Sequence, residues 1–126
     1  MSEASTSLHE PAEQLSEQTR DLHRALVSLQ EELEAVDWYR QRADVCTDSA
    51  LGEILRHNMR EEIEHASMLL EWLRRNNADF QRILKTYLFS EGSITEAEAL
   101  ATGTAAVQTE QARPESDAFT IGRLRG

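Results

Sequence analysis

Residues 57–65 read His57-Asn58-Met59-Arg60-Glu61-Glu62-Ile63-Glu64-His65. Wound as an α-helix at about 100° per residue, with Glu62 at zero, this stretch and its flanks place Leu51, Leu55, Ala66, Leu69 and Leu73 within about 40° of Glu62. Glu62 therefore lies at the centre of an apolar stripe. His65 and Asn58 fall on the same side, about 60° and 40° away. A carboxylate in an apolar seam is costly unless a cation or a strong hydrogen-bond network compensates it, and His65 is the only nearby base on that face. Glu and His at i and i+3 project from one helix face, where they can reach a single metal ion together.

Working outward, this helix starts after Cys46-Thr47-Asp48-Ser49, three of whose residues are good helix caps, and runs to about Asn76-Asn77. Arg74 and Arg75 suit the negative end of its dipole. Upstream, Leu15, Leu22, Leu29, Val36 and Ala43 recur every seven residues, with Leu26 and Leu33 at companion positions. That spacing predicts an amphipathic helix over about 10–43, roughly 45 Å long at ~1.5 Å per residue, with Pro11 in its first turn. The connection is short, so the two helices fold back as an antiparallel hairpin. Downstream, Phe80, Ile83, Leu84, Tyr87 and Leu88 predict a third, shorter helix over 78–89, closed by Gly92, and Thr95-x-x-Glu98 predicts one more weak capped turn. From Ala101 to Asp117 the composition is that of a flexible linker, and Phe119 to Arg125 regains apolar character, as a docking peptide would. The expected division is a helical hairpin domain over 1–98, a linker over 99–117 and a terminal peptide over 118–126.

Composition fits this all-α reading. Among 126 residues there are only five glycines and two prolines, too few for the frequent turns of an all-β fold. Acids outnumber bases 23 to 13, for a net charge of −10. Such a surface repels phosphate and attracts cations, so neither nucleic acid nor an anionic membrane is expected as a partner. Apolar runs of a few residues fall far short of the ~20 that span a bilayer. The start Met1-Ser2-Glu3-Ala4 is not that of a signal peptide, and the single cysteine, Cys46, points to a reducing, cytoplasmic setting. Two long helices have one seam and no second layer, so at least a dimer is expected, two hairpins making a four-helix bundle.

On the first helix, with Glu32 at zero, Ala25, Leu29, Val36 and Tyr39 fall within about 60°. Glu32 thus also points inward. Di-metal carboxylate bundles use a Glu from each of two helices and a Glu-x-x-His from each of the other two. Glu32 with Glu62 and His65 is half of that set, and a two-fold dimer supplies the rest. Two copies bring four carboxylates against the four positive charges of two divalent ions. An oxygen-rich set with imidazole suits Fe or Mn, since Zn usually takes more N or S. The competing reading is a coiled-coil cargo or adaptor with partly solvated Glu and a core His. A di-iron or di-manganese oxidase with another substrate is a third, disfavoured because so short a chain leaves little material for an organic-substrate pocket.

The other polar residues divide into two groups. Glu31, Glu34 and Trp38 lie about 100–160° from Glu32, on an outer face that reads either as solvated surface or as an entry or secondary cation site. Tyr39, one heptad beyond Glu32, could hydrogen-bond a ligand or pass an electron, or simply pack with a satisfied hydroxyl. Glu61 and Glu64 read as surface ion-pair residues and His57 as a non-ligand. Cys46 has no assigned role.

The stretches Glu31-Glu32-Leu33-Glu34-Ala35-Val36-Asp37-Trp38-Tyr39, His57 to His65, Leu70-Glu71-Trp72-Leu73-Arg74-Arg75 and Thr86-Tyr87-Leu88-Phe89 resemble the encapsulated ferritins, short ferritin-like proteins packaged in encapsulin shells. The resemblance spans most of residues 8–95. It implies ferroxidase activity and two iron ions per dimer. Glu32, Glu62 and His65 would be ligands at the dimer interface, Tyr39 would stand beside them, and Glu31, Glu34 and Trp38 would line entry or secondary sites. It also implies a ring of five dimers with no closed cavity of its own, housed inside a cytoplasmic encapsulin nanocompartment. Residues 119–125 resemble the encapsulin-loading peptide, roughly Leu-Thr-Ile/Val-Gly-Ser-Leu-Arg. Here Phe119 replaces the Leu and Arg123 the Ser, while Thr120, Ile121, Gly122, Leu124 and Arg125 match. Phe119, Ile121 and Leu124 would fill apolar pockets in the shell protein.

Overall fold

A computed structural model describes residues 7–101, and the expected linker beyond Ala101 and the terminal motif lie outside the described residues. All regular structure among the described residues is helical. The chain divides between Asn76 and Asn77 into two compact units.

The first unit holds α1 (Glu17–Val45) and α2 (Ser49–Asn76), packed against each other as a hairpin. The first helix starts later than the heptad spacing implies. Pro11 leads into a separate 3-10 turn over Ala12–Gln14. Ser16 then takes extended backbone and its Oγ accepts the Thr19 amide at 3.1 Å, so Ser16, not the region of Pro11, caps α1. Arg20 Nε holds the 3-10 turn down by donating to the Ala12 carbonyl at 3.1 Å. Leu15 is consequently outside the helix that its spacing appeared to begin. From Glu17 to Val45 no Gly or Pro interrupts the helix.

The tip is three residues long. Of the three candidate caps the one used is Asp48, whose carboxylate accepts the Leu51 amide at 2.8 Å. Gly52 is buried and Ala25, Ala43 and Ala66 are buried too, so small side chains occupy much of the seam. Among the described residues, Leu73 is the one large side chain with no exposure. Leu33, Leu51, Ile54, Ile63 and Met68 all remain about half exposed. A hairpin with so little interior leaves many large apolar side chains uncovered, the condition under which small chains gain burial by association.

The second unit begins with Asn77, whose side-chain oxygen accepts the Phe80 amide at 2.9 Å and caps α3 (Ala78–Tyr87). This helix ends two residues before the expected limit. The Ser90 amide and hydroxyl both donate to the Tyr87 carbonyl, at 3.2 and 2.7 Å, and close the chain into a turn with Phe89 in left-handed backbone at φ 62°. Gly92, also left-handed at φ 85°, comes after the stop and is not its cause. A further helical stretch, α4, spans 94–101. It already includes Thr95, so Thr95 is not its cap; Ser93 precedes it, with its hydroxyl 3.2 Å from that of Thr95.

Candidate metal centre

Glu32 comes from the middle of α1, and Glu62 and His65 from the middle of α2. Packing of the two stripes brings one donor atom from each within 4.8 Å of the others. They form the one cluster of three or more His, Cys, Asp or Glu donors of that kind among the described residues. His65 Nδ1 is hydrogen-bonded to Glu62 Oε1 at 3.2 Å and stands 3.4 Å from Glu32 Oε1. All three side chains are half-buried.

The polar accounting does not close. Glu32 Oε1 is buried and has no hydrogen-bond partner; the His65 nitrogen is near but not aligned to donate to it. A buried acceptor left unpaired costs about 1–3 kcal/mol, so its persistence needs a reason. The charges are mutually dependent. A hydrogen bond shared with the Glu62 carboxylate favours the protonated form of Glu32 and raises its carboxyl above the ordinary range, and burial adds to this. The same contact with Glu32, aided by His65, lowers Glu62. The hydrogen bond to Glu62 raises His65, assisted by the charge of Glu32. Two acids and one base therefore hold protons as a unit. A divalent cation satisfies all of these groups at once: it pairs the orphaned oxygen, relieves the carboxylate repulsion and displaces the shared protons.

The remaining candidates lie apart from this cluster. Tyr39 is two turns beyond Glu32 on the same face of α1, about 10 Å along the axis at ~1.5 Å per residue. It is half-buried, and the Arg42 guanidinium covers its ring at 5.3 Å from the centroid. Arg42 was not singled out by sequence reading, although its i, i+3 spacing from Tyr39 is the available signal. Glu31 and Glu34 are partly exposed and join no donor cluster, and Trp38 is 47% exposed. Glu61 pairs with His57 at 4.0 Å on the surface of α2.

A family model for EncFtn-like proteins matches residues 7–91, about two-thirds of the chain, including every residue of the cluster. The chain belongs to the EncFtn-like family. Among relatives, an encapsulated ferritin-like protein of Rhodospirillum rubrum is 52% identical, with the match covering 100% of this chain and 93% of that one. A ferritin-like protein of Thermotoga maritima is also 52% identical, over 75% of this chain and 83% of its own. A crystal structure of a Nitrosomonas europaea protein superposes with a TM-score of 0.67 at 55% identity, covering 70% of this chain and 97% of that one. Membership in the EncFtn-like family agrees with the helical hairpin, and no described helix is long and apolar enough to cross a membrane.

Proposed function

We propose that this EncFtn-like protein is a ferroxidase, oxidising Fe(II) to Fe(III) at a di-iron centre shared by two copies, for iron storage inside an encapsulin compartment. The observation that carries the reading is the buried, unpartnered Glu32 Oε1 facing Glu62 and His65. One chain offers two carboxylates and an imidazole, too few donors for two ions. A second hairpin across a two-fold axis doubles the set to four carboxylates and two imidazoles, matching the ligand count of di-iron bundles. Burial of apolar side chains left exposed on the hairpin supplies the driving force for that pairing.

Ferrous iron is substrate here. Two Fe(II) give up one electron each; dioxygen takes both with two protons and leaves as hydrogen peroxide. The chain's part is to attract, hold and release. The acidic surface draws the cations in. Glu32 and Glu62 neutralise the divalent charge, and oxidation to two trivalent ions leaves an excess of two positive charges over the four carboxylates, which hydroxide from water would balance in the ferric product. His65 donates a lone pair only when deprotonated, so binding releases protons. Tyr39, on the same face as Glu32, positions a ligand or transfers an electron, and Glu31, Glu34 and Trp38 form an entry or secondary cation site. The wider assembly is a ring of dimers, with residues 119–125 as the attachment to the shell protein.

The test is ferrous oxidation followed by the rise in ferric absorbance on mixing with aerobic buffer. Glu62→Ala is expected to abolish the fast phase while the chain stays helical by circular dichroism. Undiminished initial rates would remove Glu62 from the ligand set and leave a packing or cargo role.

A further inference from the structure

Arg24, Arg74, Arg75 and Arg82 each pair with an Asp or Glu three or four residues earlier in the chain. Arg42 has Trp38 and Tyr39 at those positions, and among the described residues it forms no ion pair. Its guanidinium lies instead over the Tyr39 ring, 5.3 Å from the centroid and inside the ~6 Å range of a cation–π contact. Arg42 also stands in the last turn of α1, where a cation suits the helix dipole. That role does not explain the contact. The open carbonyls lie at the C-terminal end of the helix, whereas the side chain leans back one turn toward the N-terminus to reach Tyr39.

In Tyr39 the ring is supported and the hydroxyl is not. The residue is half-buried on the Glu32 stripe, and among the described residues its hydroxyl has no hydrogen-bond partner. Packed tyrosines usually satisfy that group, so here it is open to a partner brought by the substrate or by a second copy. A half-exposed ring left to itself swings between rotamers. A guanidinium on its face removes that freedom before substrate arrives, and a group held ready in this way speeds a step at lower entropic cost. The charge has a second effect: a cation beside the ring opposes withdrawal of an electron from it.

We propose that Arg42 is a positioning residue whose guanidinium fixes Tyr39 in one rotamer, so that the Tyr39 hydroxyl serves the ferrous site as a hydrogen-bond donor and not as an electron carrier. The task of the hydroxyl rests on the ferroxidase reading; the hold of Arg42 on the ring does not depend on iron.

Two measurements on the full chain test this. In the metal-free protein, three-bond NMR couplings of labelled tyrosine report the side-chain rotamer, and Tyr39→Phe identifies which of the two tyrosines is being read. The parent chain is expected to show one rotamer at position 39 and Arg42→Met an average over several, with Tyr87 unchanged. Arg42→Lys, which keeps a cation able to sit on the ring, is expected to restore part of the preference. A single rotamer in Arg42→Met overturns the proposal, and so does an Arg42→Lys chain that behaves like Arg42→Met. The second measurement is stopped-flow ferrous oxidation. Arg42→Met is expected to lower kcat roughly three- to tenfold, with KM for Fe(II) changed by less than about twofold, and to have no further effect in the Tyr39→Phe background. A loss that persists in that background overturns the proposal. A faster rate in Arg42→Met also overturns it, because Tyr39 would then be an electron donor that Arg42 restrains. If the parent chain shows no fast ferrous oxidation, the ferroxidase reading falls and takes the task of the hydroxyl with it, while the rotamer result still decides whether Arg42 holds the ring.

Discussion

Glu32 is the residue at which stability and function conflict. Its Oε1 is buried without a donor, and its carboxyl is raised by Glu62 beside it. Replacing it by Leu removes both penalties and extends the apolar stripe of Ala25, Leu29 and Val36. Glu32→Leu is therefore expected to stabilise the metal-free protein by about 1 kcal/mol or more, a rise of roughly 4–8 °C by calorimetry for a domain of this size, and to remove stabilisation by added Fe(II). A fall in melting temperature without metal would mean that the carboxylate is satisfied as it stands. His65 gives a second measurement at this scale. In the metal-free protein its ring is raised above the usual histidine value, first by its hydrogen bond to Glu62. The sign follows from linkage: the folded state binds this proton more tightly, so the contribution is fully present below the unfolded value near 6.5 and is lost as pH rises through the folded value. Proton NMR titration of metal-free protein is expected to show the elevated value, and Glu62→Gln to return it toward normal.

The helices show what local sequence does and does not disclose. The position of Glu62 on its stripe was legible because a helical wheel depends only on period, and the hairpin preserves that period through α2. Element ends were less legible because caps compete. Pro11 suggested the start of α1, but the Thr19 amide donates to the Ser16 hydroxyl and sets the start there instead. Ser90, in the same way, stops α3 before the more conspicuous Gly92. The neighbourhood of Glu32 could be anticipated as inward-facing, but not the orphaned oxygen, which depends on where His65 points in three dimensions. Two predictions belong here. Asp48→Ala deletes the cap of α2 and is expected to cost about 1 kcal/mol, read as a lower urea midpoint with unchanged slope. Glu71 is held down at about 2, first by Arg74 and then by Arg75, in pairs of 2.6–2.8 Å. A depressed carboxyl contributes stability above its ordinary value and loses it as pH falls from about 4.5 through about 2. Because these groups lie on the surface, Glu71→Gln is expected to flatten the acid limb of the stability curve in dilute buffer and to differ little from the parent chain in high salt.

For the whole molecule, metal and assembly become one equilibrium. A chain carrying a net charge of −10 repels its copies, while the exposed apolar side chains of its hairpin draw them together. If each copy holds half of a centre, a cation bound across the axis cancels repulsion where it is greatest and binds only the associated state. Ligand that binds one state shifts the equilibrium toward it by about 2.7 kcal/mol when present at a hundredfold excess over its dissociation constant, close to a hundredfold in association. Anaerobic Fe(II) is thus expected to lower the protein concentration at which dimers form by up to about that factor, measured by sedimentation velocity, and a chelator to reverse the shift. Glu62→Ala is expected to abolish the metal effect while leaving metal-free pairing no weaker, since the variant loses a repulsive charge from the seam. A metal-independent dimerisation constant in the parent chain would separate assembly from the three-donor cluster and place the ligands within single copies.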